Sequence, residues 1–232
     1  MSKEVILVSG LASKGSNLAP LKYVSERIQD GAVRYVDGAH ILESGELAVS
    51  SPSHQTREIA EIVESNPAID FIIISHSMGA LAALRCVESF KNVTAISISP
   101  TLLHPISTMY QSRLLGRLHI KDDGIVLPSY SFALGDGGPS TSLPAPVEAK
   151  FSSITFDEIA KLSDTYATRT NRAIRSNTLR IVMPSQDWNA SALQAAGQID
   201  QVVHIQAPHS LQTSQDMLER NANIIASIAE QF

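Results

Sequence analysis

The stretch Phe71-Ile72-Ile73-Ile74-Ser75-His76-Ser77-Met78-Gly79 decides how the rest of the chain is read. Its apolar run stops at serines and suits a strand covered on both faces within a parallel sheet. Just beyond it, Leu81, Leu84, Cys86 and Val87 lead a helical stretch up to Phe90, so Ser77 stands at a strand-to-helix turn. A serine hydroxyl attacks poorly until a base takes its proton and the backbone exposes it. Ser77 is therefore a candidate nucleophile that needs partners elsewhere in the chain; capping the following helix is its ordinary alternative use.

Working outward, Val5 to Val8 is a second continuous apolar run and ends at Ser9-Gly10. Leu18, Leu21, Val24 and Ile28 recur at spacings of three and four and predict a helix that ends near Asp30-Gly31. Val33 to Val36 reads as a strand, residues 38–52 as a loop, and a helix from about Ser53 turns Ile59, Ile62 and Val63 inward before Asn66-Pro67. On the other side of Ser77, Val93 to Ile98, Leu179 to Met183 and Val202 to Ile205 read as strands. Helices are expected near Ala190 to Ala196 and from just after His209 to the last residue, where Leu211, Met217, Leu218, Ile224, Ile225, Ile228 and Phe232 mark one buried face. Strand and helix alternating in this way predict an α/β fold, with about six mostly parallel strands and helices on both faces.

The alternation lapses between about 101 and 176, a stretch with five of the eleven prolines and a turn-rich centre, Gly135-Asp136-Gly137-Gly138-Pro139. Without a linker elsewhere, residues 1–232 read as one domain carrying this stretch as an inserted cap. Ile106, Met109, Tyr110, Leu114, Leu115 and Leu118 fit one helical face there, which either packs on the main domain or lines an acyl pocket.

Composition narrows the function classes. A net charge of −5 with scattered Lys and Arg gives no basic stripe, so no nucleic-acid partner is expected. The single cysteine, Cys86, sits in an apolar helical stretch and reads as a buried, inert thiol. No apolar run nears the ~18 residues of a membrane span, and the first residues lack the pattern of a secretory signal, so a cytoplasmic location is expected. No His/Cys/Asp spacing suits a metal, and the Gly-rich stretch at 135–138 lacks the strand and helix of a phosphate loop, so no metal or cofactor is expected.

In open parallel sheets, ligands bind beyond the carboxyl ends of the strands. Ser77 follows the third strand there, Asp187 the fifth and His209 the sixth. These types suit acyl transfer through a covalent intermediate: a hydroxyl attacks, an imidazole takes and returns its proton, and a carboxylate fixes the imidazole. Asp187 could instead cap the next helix, and His209 could merely begin one. Asp157 and Asp164, in the expected cap, are poorer acids, and the other histidines lack such placement, although His104 opens the cap.

With the order Ser, Asp, His and the pentapeptide Ser75-His76-Ser77-Met78-Gly79, the chain resembles the alpha/beta-hydrolase family over nearly its whole length. The family's pattern usually has glycine where Ser75 stands; serine is small enough for the turn. The resemblance implies an oxyanion hole from the backbone N–H groups of Met78 and Leu11, with Gly10 letting the backbone turn. The expected function is a cofactor-free serine hydrolase acting on a hydrophobic small-molecule ester or thioester, free or carrier-bound. Acyl transfer by the same triad and small-molecule sensing on the same shell are the alternatives. Oligomeric state, pathway and substrate-binding residues are not legible in the sequence.

Overall fold

The computed structural model describes residues 3–10, 19–28, 32–41, 47–100, 119–121, 124–127, 147–150, 153–186, 197–208, 211 and 213–232. In chain order the elements are β1 (Lys3–Val8), α1 (Ala19–Arg27), β2 (Val33–Val36), β3 (Ala39–Ile41), β4 (Leu47–Val49), α2 (Pro52–Ser65), β5 (Asp70–His76), α3 (Gly79–Ser89) and β6 (Val93–Ile98). After these come β7 (His119–Lys121), β8 (Gly124–Leu127), β9 (Val147–Lys150), α4 (Ser153–Arg175), β10 (Leu179–Gln186), β11 (Val202–Pro208) and α5 (Gln215–Ala229).

Six strands form the main sheet in the order β11-β10-β6-β5-β1-β2, every neighbouring pair parallel. The chain begins at β1, steps to β2 at the edge, returns past β1 to β5, and then proceeds outward to β11. Its direction thus reverses between β1 and β5, and such a switch point opens a crevice at the carboxyl ends of the strands.

Side chains alternate across β5, and this assigns the helices to layers. Phe71 and Ile73 join Ile59 and Val63 of α2, Ala83 and Leu84 of α3, and Tyr166 and Ile174 of α4 on one face. Ile72 and Ile74 face the other way, with Leu21 and Val24 of α1 and Ile225 and Ile228 of α5. Burying each isoleucine is worth roughly 1.5–3 kcal/mol, so the unbroken run 71–74 is best satisfied in the middle of a sandwiched sheet. The register Val8↔Ser75 on one side and His76↔Ile98 on the other carries β5 to the same edge as its neighbours.

Two regions depart from the sequence reading. Residues 38–52, expected as a loop, contain β3 and β4, which join β9, β8 and β7 in a second sheet of order β3-β4-β9-β8-β7. Strands of three residues are too short to display a period of two. The helix expected at 106–118 and the one at 190–196 lie outside the described residues, as does most of the expected cap. At the end of that stretch, α4 is a helix of 23 residues packed on the main sheet through Leu162, Tyr166, Ala173 and Ile174. Asp157 and Asp164 both fall on α4. Among the described residues, no helix is long and apolar enough to cross a membrane.

Candidate active site

Ser77 is the hinge between β5 and α3. Its φ is +54°, in the left-handed region that serine seldom occupies, so the chain leaves the strand and turns sharply into the helix. Its N–H donates to the Ile98 carbonyl at 3.0 Å, and its carbonyl accepts from Ala80 N–H at 3.2 Å. Met78 follows with φ −63° and ψ −28°, and its carbonyl accepts from Leu81 N–H at 3.1 Å. The first turn of α3 is therefore closed by tight bonds directly after Ser77.

Two glycines let the surrounding backbone close on this turn. A Cβ on Gly79 would lie 2.8 Å from the Ser9 carbonyl oxygen and 3.0 Å from Val8, so α3 crosses the end of β1 where no side chain fits. A Cβ on Gly10 would lie 2.8 Å from the Ser77 Cβ and 3.3 Å from its Oγ. Gly10 was expected to serve a backbone turn; its φ lies outside the left-handed region, and the need for glycine there is space beside Ser77.

The end of β1 is fastened independently. Ser9 N–H donates to the Val36 carbonyl at 3.0 Å, and Ser9 Oγ accepts from Gly38 N–H at 2.7 Å. The fully buried Gln55 of α2 donates through Nε2 to the carbonyls of Ser9, at 2.9 Å, and Asp37, at 3.3 Å. These bonds join the ends of β1 and β2 and hold Gly10 in place against Ser77. The sequence reading missed Gln55, although it lies four residues before Ile59 on the inward stripe of its helix, where a polar residue needs a partner.

No family model matches the sequence, and no curated protein does. Solved structures do match. A pyrethroid hydrolase from Sphingobium faniae aligns with TM-score 0.65 and 17% identity over 98% of this chain and 97% of its own. A monoacylglycerol lipase from Paleococcus ferrophilus aligns with TM-score 0.66 and 13% identity over 98% and 94%. Est1E from Butyrivibrio proteoclasticus aligns with TM-score 0.60 and 14% identity over 100% and 89%. This chain has the alpha/beta-hydrolase fold.

Within this alpha/beta-hydrolase fold, Ser75 does more than fit. Its Oγ lies 3.0 Å from Ser97 Oγ, its register partner on β6, so two buried hydroxyls satisfy each other at a position where glycine is usual. The hydroxyl of Tyr166 on α4 lies close to those of Ser97 and Thr170, without a hydrogen bond of good geometry. Burial pushes its pKa up to about 12, so it stays neutral. Further along, α4 is tied to α3 by Arg85–Glu158, at 2.5 Å, and by the two-pronged pair of Arg169 with Glu88. The helix that starts at the Ser77 turn is thus braced along its length.

Asp187, His209 and Leu11 lie outside the described residues, and the structure brings Ser77, Gly10 and Met78 together. The flanking backbone is described: β10 ends at Gln186 and β11 at Pro208, and these two residues are register partners. Strand alternation puts His76 on the face opposite Ser75. His54 of α2 pairs with Glu58 at 3.6 Å, and His204 is exposed on the edge strand β11, so neither belongs to this turn. Burial pushes the Cys86 thiol up to about 12, which leaves it unreactive at neutral pH. Among the described residues, no cluster of three His, Cys, Asp or Glu side chains could hold a metal.

Proposed function

We propose that this protein is a serine hydrolase acting on carboxylic esters or thioesters of hydrophobic small molecules. The observation that carries this reading is the strained Ser77 turn: a serine at φ +54° between a buried strand and a helix, with Gly10 and Gly79 spared of side chains where backbone closes on it. Strain of this kind persists where the surrounding structure over-determines it, and it gathers at functional sites. The names of the similar solved proteins, a pyrethroid hydrolase, a monoacylglycerol lipase and an esterase domain from Rhodothermus marinus, support ester chemistry.

In this reading Ser77 Oγ attacks the carbonyl carbon, and its proton passes to His209, which Asp187 orients. The oxyanion is held by the backbone N–H groups of Met78 and Leu11, helped by the positive end of α3. Collapse expels the alcohol or thiol with the proton from His209. Water, deprotonated by the same imidazole, then releases the acid and restores Ser77. The pairing of Gln186 with Pro208 supports the carboxylate and imidazole roles, because residues 187 and 209 each come one step later, about 3.8 Å along the chain.

Ser77→Ala is the decisive variant. It is expected to keep the fold, to lose hydrolysis of chromogenic medium-chain esters by roughly 10³-fold or more, and to abolish covalent labelling by a fluorophosphonate. Unchanged turnover in that variant would exclude Ser77 as nucleophile. Medium-chain esters are expected to outpace charged ones, as a chain-length series would register.

A further inference from the structure

Ser77 is not the only buried serine held at positive φ on this edge. Ser99, the residue after β6, has φ +47° and is fully buried, and Pro100 follows it. A residue before proline is driven toward extended backbone with negative φ, so two steric preferences oppose the conformation that Ser99 holds.

The peptide unit joining Ile98 to Ser99 explains what that conformation secures. On one side its carbonyl, that of Ile98, accepts the Ser77 N–H at 3.0 Å; on the other its N–H, that of Ser99, donates to the Val182 carbonyl of β10 at 2.8 Å. This one peptide therefore carries the last rung of the sheet on both sides, and the rung ends on the backbone of Ser77 itself. The φ of Ser99 is the first rotation beyond the rung. A φ of +47° directly after the rung is the backbone conformation in which both bonds of this peptide are made.

We infer that Ser99 is a positioning residue for Ser77: its left-handed backbone keeps the Ile98–Ser99 peptide bonded to the Ser77 N–H and so fixes the angle at which the Ser77 hydroxyl is presented. Being fully buried, Ser99 acts through that peptide and not by touching substrate. The inference rests on Ser77 being the nucleophile as far as rates are concerned, and on backbone geometry alone as far as the hydrogen bond is concerned.

The test ranks substitutions by their tolerance of positive φ. Ser99→Val, β-branched, is expected to slow fluorophosphonate labelling of Ser77 roughly 10- to 100-fold, measured well below its Tm. Hydrogen exchange at the Ser77 amide should quicken on the order of tenfold, while the amides of residues 71–74 stay protected. Ser99→Gly, which accepts positive φ freely, is expected to restore labelling to within about twofold of wild type and to raise Tm by about 2–4 °C. If Ser99→Val does not fold, Ser99→Ala against Ser99→Gly carries the same contrast. Wild-type labelling in Ser99→Val or Ser99→Ala, or a loss in Ser99→Gly equal to theirs, overturns the inference. A wild-type protein that is not labelled at Ser77 defeats the hydrolase reading instead, and the Ser77 amide then still decides the backbone link.

Discussion

The two ends of the main sheet handle backbone strain differently. At the carboxyl ends, Ser77, Ser99 and Leu211 hold positive φ with side chains that disfavour it, and all three are buried. At the amino ends, among the described residues, Asn177 is the one non-glycine residue at positive φ, +58°. Asn177 terminates α4, where Thr178 N–H reaches back to the Ala173 carbonyl at 3.0 Å, the ordinary left-handed stop of a helix in a residue that tolerates it. Strain at the amino end thus solves a local problem of chain direction. At the carboxyl end it is spread over residues far apart in sequence that converge on one edge, so it is held there by tertiary packing.

The contrast can be broken most severely at Gly10. In Gly10→Ala the new Cβ must displace Ser77, because it would stand 2.8 Å from the Ser77 Cβ. Ester turnover is expected to fall roughly 10²-fold, with an overpacking cost of about 1–3 kcal/mol. Steady-state kinetics beside a denaturant titration would separate the two, and a fully active Gly10→Ala would dissolve the functional meaning of the tight contact.

Asn177 supplies the matched control at the other end. Ala at 177 is expected to cost about 1 kcal/mol, near 2–4 °C in Tm, and Gly to match or exceed wild type. Neither should alter the rate per folded molecule. A change in kcat from either would mean that strain at the two ends does not differ in kind.

The smallest expected effect concerns Glu58 on α2. Burial, partly offset by His54, raises its pKa above the ordinary carboxylate value. The folded chain therefore holds this proton more tightly than the unfolded chain. Its favourable contribution is complete below about pH 4 and is lost as pH rises through the raised pKa. Glu58→Gln is accordingly expected to be slightly more stable than wild type near pH 8, by less than about 1 kcal/mol for this part-exposed group, and equal to it below about pH 4. Thermal melts at the two pH values measure it, and a gap that widens toward acid would reverse the sign.

Much of the framework was legible in the residues. The unbroken apolar runs at 5–8 and 71–74 mark strands buried on both faces, because only such strands can bury every side chain. The strand-to-helix turn at Ser77 was legible for the same reason, since two different periodicities meet there. Less was legible where burial depends on distant partners. Tyr166 lies in a stretch read as cap, yet it is among the most buried side chains, because α4 returns to the sheet between two Arg–Glu ties to α3. Gln55 stands on the inward stripe of its helix, yet what it and Ser97 bond to, 18 to 46 residues away, is not readable along the chain.

By itself the sequence determined the strands of the main sheet and the turn at Ser77 between a strand and a helix, and it offered Ser77, Asp187 and His209 as candidate groups on chemical grounds. Periodicity and residue chemistry are local, so they can be read along a line. Only the tertiary structure decided that Gly10 is a matter of space beside Ser77, that Ser75 bonds Ser97, and that Ser99 turns left-handed after its rung with Ser77. Each of these depends on atoms of residues far apart in sequence brought within about 3 Å of one another, a proximity that no one-dimensional pattern encodes.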